Sequence, residues 1–95
     1  LRPDANLNTV TNYPNPFSSQ TTIAVNSDKE QNARINLYDI NGEFVAEIFK
    51  GKLNKGNNEI TFSASTVKNF KPGTYLYIVS LDDGKKLEGK MIYSK

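Results

Sequence analysis

The sequence predicts an all-β chain, an antiparallel β-sandwich of about seven short strands. Three observations predict it. Apolar and polar residues alternate along several short runs, which is the period of a half-buried strand. Clusters of Gly, Asn, Asp and Pro punctuate those runs at close spacing. No stretch carries the three-to-four-residue apolar spacing of an amphipathic helix.

Residues 1–12 are polar, with Pro3 and three Asn, and read as a linker leading into a first strand over 7–11. The sandwich itself is expected over 13–95. It opens with Tyr13, Pro14, Asn15, Pro16 and Phe17. Two prolines at this spacing remove backbone donors and fix φ, so the segment is a rigid turn. Tyr13 and Phe17 are both expected to turn inward and pin it. Residues 21–25 alternate, with Ile23 and Val25 on one face. Residues 33–40 alternate too, with Ile35 and Leu37 inward and Arg34 and Asn36 outward. Asn41-Gly42 then separates this strand from one over 44–49, and an Asn-Gly pair between apolar strands predicts a hairpin with a type I′ turn.

Residues 51–58 are rich in Gly and Asn and read as a turn. A strand over 59–62 places Ile60 and Phe62 inward. Residues 63–70 lack alternation and suit a crossover between sheets with one helical turn. Pro72-Gly73 opens a strand over 74–81 that is apolar on both faces, which predicts a central position. Tyr75, Tyr77 and Val79 share one face; Leu76, Ile78 and Leu81 are assigned to the other. Asp82-Asp83-Gly84 closes a second hairpin into 85–95, where Met91 and Tyr93 alternate with Ile92. Closely spaced strands of this kind point to an immunoglobulin-like sandwich lacking the disulfide and core Trp of antibody domains.

At 95 residues the chain fits one domain, which buries about two-thirds of its unfolded surface and leaves no room for a deep cleft. It begins with Leu1 rather than Met, which suggests a mature form, a fragment or an excised domain. No apolar run approaches the roughly 20 residues of a transmembrane helix. The sequence contains no Cys and no His. Disulfides, thiolate nucleophiles and Cys-type zinc sites are excluded. The usual general base and the commonest metal ligand are absent too. No catalytic, cofactor or metal site is expected, and the chain reads as a non-enzyme. Net charge is +2, from 12 basic and 10 acidic residues. That balance argues against nucleic-acid binding, which needs concentrated positive charge. Lys85, Lys86, Lys90 and Lys95 cluster near the end with only Glu88 among them. They suit either an edge strand protected from aggregation or a recognition surface.

Other candidate chemistry reduces to structure. Asp82 and Asp83 sit before Gly84 and read as turn residues. Asp39, Ile40, Asn41 and Gly42 resemble a fragment of a calcium loop but lack its bidentate Glu. Ser18, Ser19, Thr21 and Thr22 have no activating partner. The five Tyr and five Phe fit a core better than a sugar-stacking surface, with Tyr38, Tyr77 and Tyr93 the ones whose exposure would tell.

Four blocks in order carry a resemblance: Tyr13 to Phe17; Ile35-Asn36-Leu37-Tyr38-Asp39-Ile40-Asn41-Gly42; Pro72-Gly73-Thr74-Tyr75-Leu76-Tyr77; and the final Lys90-Met91-Ile92-Tyr93-Ser94-Lys95. Over 12–95 the chain resembles the C-terminal sorting domain (type A) of the bacterial type IX (Por) secretion system. One departure is Phe62-Ser63, where many members carry Trp-Asp. The resemblance implies a domain at the C-terminus of an exported cargo in Bacteroidetes-type bacteria. It implies passage through the periplasm and an outer-membrane translocon. It also implies removal by a surface sortase cutting upstream, with cargo released or linked to surface lipopolysaccharide. The implied partners are the translocon, the sortase and attachment complex, and the covalently linked cargo. Gly73, Tyr75 and Tyr77 with Lys90, Met91, Ile92 and Lys95 are expected to carry the signal, by strand addition to an exposed terminal strand. The alternative is recognition of the whole fold. An unprotected edge leaves an edge-strand dimer open. A different class of function, an accessory carbohydrate-binding or spacer module, would show an exposed row of aromatics or a metal site.

Overall fold

Alternation in the sequence becomes burial in the structure, a computed structural model that describes residues 8–95. Among the described residues seven strands form: β1 (Thr9–Tyr13), β2 (Gln20–Ser27), β3 (Gln31–Asp39), β4 (Phe44–Leu53), β5 (Gly56–Ser63), β6 (Gly73–Leu81) and β7 (Lys86–Tyr93). A single 3₁₀ turn, Ala64–Thr66, lies between β5 and β6. The strands build two antiparallel sheets, β1-β2-β5 and β4-β3-β6-β7. The chain is an all-β sandwich. Its strand order differs from an antibody constant domain, whose fourth strand joins the first sheet; here β4 stays beside β3.

The core lies between the sheets. Along β2 the side chains of Thr21, Ile23, Val25 and Ser27 are buried and those between them are not. Ile35 and Leu37 from β3, Val79 from β6 and Met91 from β7 are fully enclosed opposite them. Each such side chain contributes on the order of 2 kcal/mol by leaving water. β6 lies between β3 and β7, the central place expected of a strand apolar on both faces. The expectation for Leu81 fails: it shares the odd-numbered face of Tyr75, Tyr77 and Val79 and is 5% exposed, because the period of two persists unbroken to the strand's end. The crossover over 63–70 is present and joins the two sheets through the 3₁₀ turn.

Most strand bounds move by one to four residues from those expected. β1 starts and ends two residues later than the expected 7–11, and Leu7 lies outside the described residues. Residues 51–58 are strand except at Asn54 and Lys55: β4 runs on through Gly51 to the buried Leu53. The Asn58 side chain closes that tight link, accepting from Asn54 N–H and donating to Asn54 O, both at 2.9 Å. The Asn-Gly hairpin exists with another turn. Asp39 N–H donates to Glu43 O and Gly42 N–H to Asp39 O, both at 2.9 Å. Gly42 has φ 85° while Asn41 does not adopt a positive φ. This is a three-residue loop, a type I turn closed by a glycine bulge, rather than a type I′ turn. Asp39 Oδ1 fixes it by accepting from the N–H groups of Asn41 and Glu43. The β6–β7 hairpin repeats the design with Gly84 at φ 92° and Asp83 Oδ1 accepting from Lys85 N–H.

Candidate functional site

The last residues of β7, the start of β6 and the proline-containing segment 13–17 meet at one pole. The segment is a strap laid along β7. The peptide bonds before Pro14 and Pro16 are cis. The Asn15 amide spans the strand's edge: Nδ2 donates to Lys90 O at 2.9 Å and Oδ1 accepts from Ile92 N–H at 2.8 Å. Phe17 continues the contact through its backbone, donating to Ile92 O at 2.9 Å and accepting from Ser94 N–H at 2.8 Å. The two prolines bring no N–H of their own.

Phe17 anchors the strap and is 2% exposed. Its ring meets Phe62 edge-on at 6.2 Å and Tyr93 at 5.4 Å. Phe70 completes the cluster, stacked on Tyr93 at 4.7 Å and tilted against Tyr75 at 4.6 Å. Such pairs add roughly 0.5–1.5 kcal/mol beyond area burial. The expected second anchor, Tyr13, is 82% exposed. It ends β1 on the strand's outward face, where the period of two places it regardless of its aromatic character.

A polar chain crosses the sandwich behind the strap. Tyr77 on β6 donates its hydroxyl to Asn12 Oδ1 at 3.0 Å. Asn12 Nδ2 donates to Thr21 Oγ1 at 3.3 Å, and Thr21 Oγ1 donates to Pro14 O at 2.8 Å. One sheet is thereby tied to the other and to the strap. Burial pushes the Tyr77 hydroxyl up to about 12. Its ring lies over Gly89, its register partner on β7. A Cβ at Gly89 would sit 2.1 Å from Tyr77 Cζ. Gly89 and Phe70 escaped the sequence reading. The only available sign was a glycine inside an alternating strand, which marks close approach by another group.

The residues expected to carry a signal divide. Tyr75, Tyr77 and Met91 are buried and build the core. Tyr75 also donates its hydroxyl to Lys71 O, and burial raises its pKa above the usual tyrosine value. Gly73, Lys90 and Lys95 are exposed and Ile92 is half-buried. The backbone expected to accept an added strand at 90–94 is already bonded to the strap. Asp39, Asn41 and Gly42 form the hairpin described above. Of the tyrosines whose exposure mattered, Tyr77 and Tyr93 are buried and Tyr38 is half-buried. On the outer face of the four-stranded sheet, Phe44, Tyr38, Leu76 and Lys90 stand in one cross-strand row.

No curated protein matches the chain. The crystal structure of dimeric latent PorU from Porphyromonas gingivalis is similar in fold, with a TM-score of 0.74 and 22% identity. The likeness covers 92% of this chain and 9% of that one. The family model described as a secretion system C-terminal sorting domain matches residues 11–94, which include the strap, the Tyr38 hairpin, β6 and β7. The chain belongs to that family, the C-terminal sorting domains of the type IX (Por) secretion system.

Proposed function

We propose that the chain acts as a folded address. Residues 1–12, linker and start of the first strand, join it to an upstream cargo, and 13–95 form the sorting sandwich. The outer-membrane translocon of the type IX system receives the domain from the periplasm. A surface sortase and attachment complex then separates it from the cargo by cutting upstream of the sandwich. The family match over 11–94 carries this reading. Two physical features support it. A chain with no Cys folds around an apolar core without waiting for oxidation. β1 begins at the pole opposite Lys95, since Thr9 pairs with Asn26 and Tyr13 with Thr22, so a cargo entering through β1 leaves the C-terminal pole uncovered. Recognition there falls to Gly73, Lys90, Ile92 and Lys95, with Tyr75, Tyr77 and Met91 shaping the strands that present them.

The test is a fusion of the chain to the C-terminus of a periplasmically exported fluorescent protein in a bacterium with a type IX system. The comparison is the double variant Lys90→Glu, Lys95→Glu. Export of the parent fusion, reduced roughly tenfold or more by the charge reversals, supports a signal at the C-terminal pole. Equal export of both keeps the sorting function and moves recognition to the rest of the fold. Periplasmic retention of both, with the domain folded, overturns transport by this chain and favours the accessory-module reading.

A further inference from the structure

We propose that the 13–17 strap is an edge cap on β7, and that β7 becomes available to a further strand only when Asn15 lets go. β7 ends its sheet. An uncovered edge strand presents unpaired N–H and C=O groups that template pairing with another chain. The strap occupies Lys90 O, both polar groups of Ile92 and the Ser94 N–H. An asparagine amide offers a donor and an acceptor side by side, as a peptide group does. Asn15 therefore stands in for one residue of a missing strand, and Phe17 supplies the next through its backbone.

The cap also stops the sheet. Pro14 and Pro16 have no N–H to offer a following strand, the position prolines take at sheet edges. It covers the stretch of β7 that most needs covering. Met91, Ile92 and Tyr93 are consecutive, apolar and of high β-propensity, the composition of a strand prone to pairing. Lys86, Glu88 and Lys90 leave the earlier part of the edge protected by charge. The two halves of the cap are held unequally. Phe17 is gripped in the aromatic cluster, whereas Asn15 is exposed and its two bonds compete with water. Opening therefore begins at Asn15 and frees Lys90 O and the Ile92 N–H, while Phe17 still holds Ile92 O and the Ser94 N–H.

The experiment follows amide hydrogen exchange in the 95-residue chain, wild type and Asn15→Ala, together with binding of a labelled peptide copying residues 86–95. In the wild type the Ile92 and Ser94 amides are expected to be protected relative to the Glu88 amide, and the peptide is expected not to bind. In Asn15→Ala the Ile92 amide is expected to exchange about 30-fold faster, the equivalent of about 2 kcal/mol for two neutral hydrogen bonds. Ser94 is expected to keep its protection, and the peptide to bind. Unchanged exchange at Ile92, or equal peptide binding by both proteins, overturns the proposal. If Asn15→Ala prevents folding, the wild-type comparison decides: an Ile92 amide as fast as that of Glu88 overturns the cap. The readout uses the isolated chain, so its failure is distinct from a failure of export.

Discussion

Tyr77 and Gly89 show how much of the sandwich rests on one side chain and the space left for it. The Tyr77 hydroxyl ends a polar chain through Asn12 and Thr21 to the strap. Tyr77→Phe leaves Asn12 Oδ1 without this donor and is expected to cost about 1–2 kcal/mol at neutral pH, read from denaturant unfolding. The pH dependence has a definite sign. Burial holds the folded-state pKa at about 12 against 10.0 for an ordinary tyrosine, so the neutral form is favoured by folding. That contribution is complete below pH 10 and is lost as pH rises from 10 through 12, a loss on the order of 2 kcal/mol. Unfolding midpoints at pH 8, 10, 11 and 12 are expected to fall more steeply for the wild type than for Tyr77→Phe. Parallel curves would remove Tyr77 as the cause. Gly89→Ala drives a methyl into the end of the Tyr77 ring, which is buried and held by Asn12, and is expected to cost about 1–3 kcal/mol. In a Tyr77→Ala background the same change is expected to cost little, a coupling that a double-mutant cycle measures.

The hairpins at element scale show what local sequence specifies and where it stops. Alternation located β2, β3 and β7, because a strand with one buried face writes its period into the chain; β6 was located by its apolar run after Pro72-Gly73. β4 was harder to read. Its pairing with β3 carries irregularities between Ile35 and Asn36 and between Leu37 and Tyr38, and each breaks the alternation. The turn after Asp39 illustrates the same limit. Asn41-Gly42 fits the centre of a two-residue loop or the end of a three-residue one, and the choice depends on which residues pair across it. Tyr38 pairs with Phe44, and Asp39 Oδ1 binds two N–H groups of the loop, so the longer loop forms. Only Gly42 then needs a positive φ. Gly42→Ala is expected to cost about 1–2 kcal/mol, and Asn41→Ala no more than about 0.5 kcal/mol. Comparable costs at the two positions would favour the type I′ geometry instead.

The C-terminal pole, at the scale of the whole molecule, was legible in its parts and not in its assembly. The sequence marked 13–17 as rigid and 90–95 as the closing strand. Their contact joins residues some 75 positions apart, and no periodicity encodes such a contact. Nor does alternation say which strand ends a sheet or what covers it. This assembly decides how the terminal residues can be tested. Removing 90–95 deletes Met91 and Tyr93 from the core, takes a ring from the Phe17 cluster and strips the strap of its partners. Losing two buried side chains of that size costs about 2–5 kcal/mol each, which approaches the 5–15 kcal/mol of a whole small domain. The truncated chain is expected to lose cooperative unfolding altogether. Lys90→Glu with Lys95→Glu alters only exposed groups and is expected to hold stability to within about 0.5 kcal/mol per site. Circular dichroism during denaturant titration distinguishes them. If the truncated chain unfolds cooperatively near the wild-type midpoint, β7 beyond Gly89 is dispensable to the fold, and a truncated fusion becomes a fair control for export. If it does not, export lost on truncation reports unfolding, and the charge reversals alone address what the translocon reads.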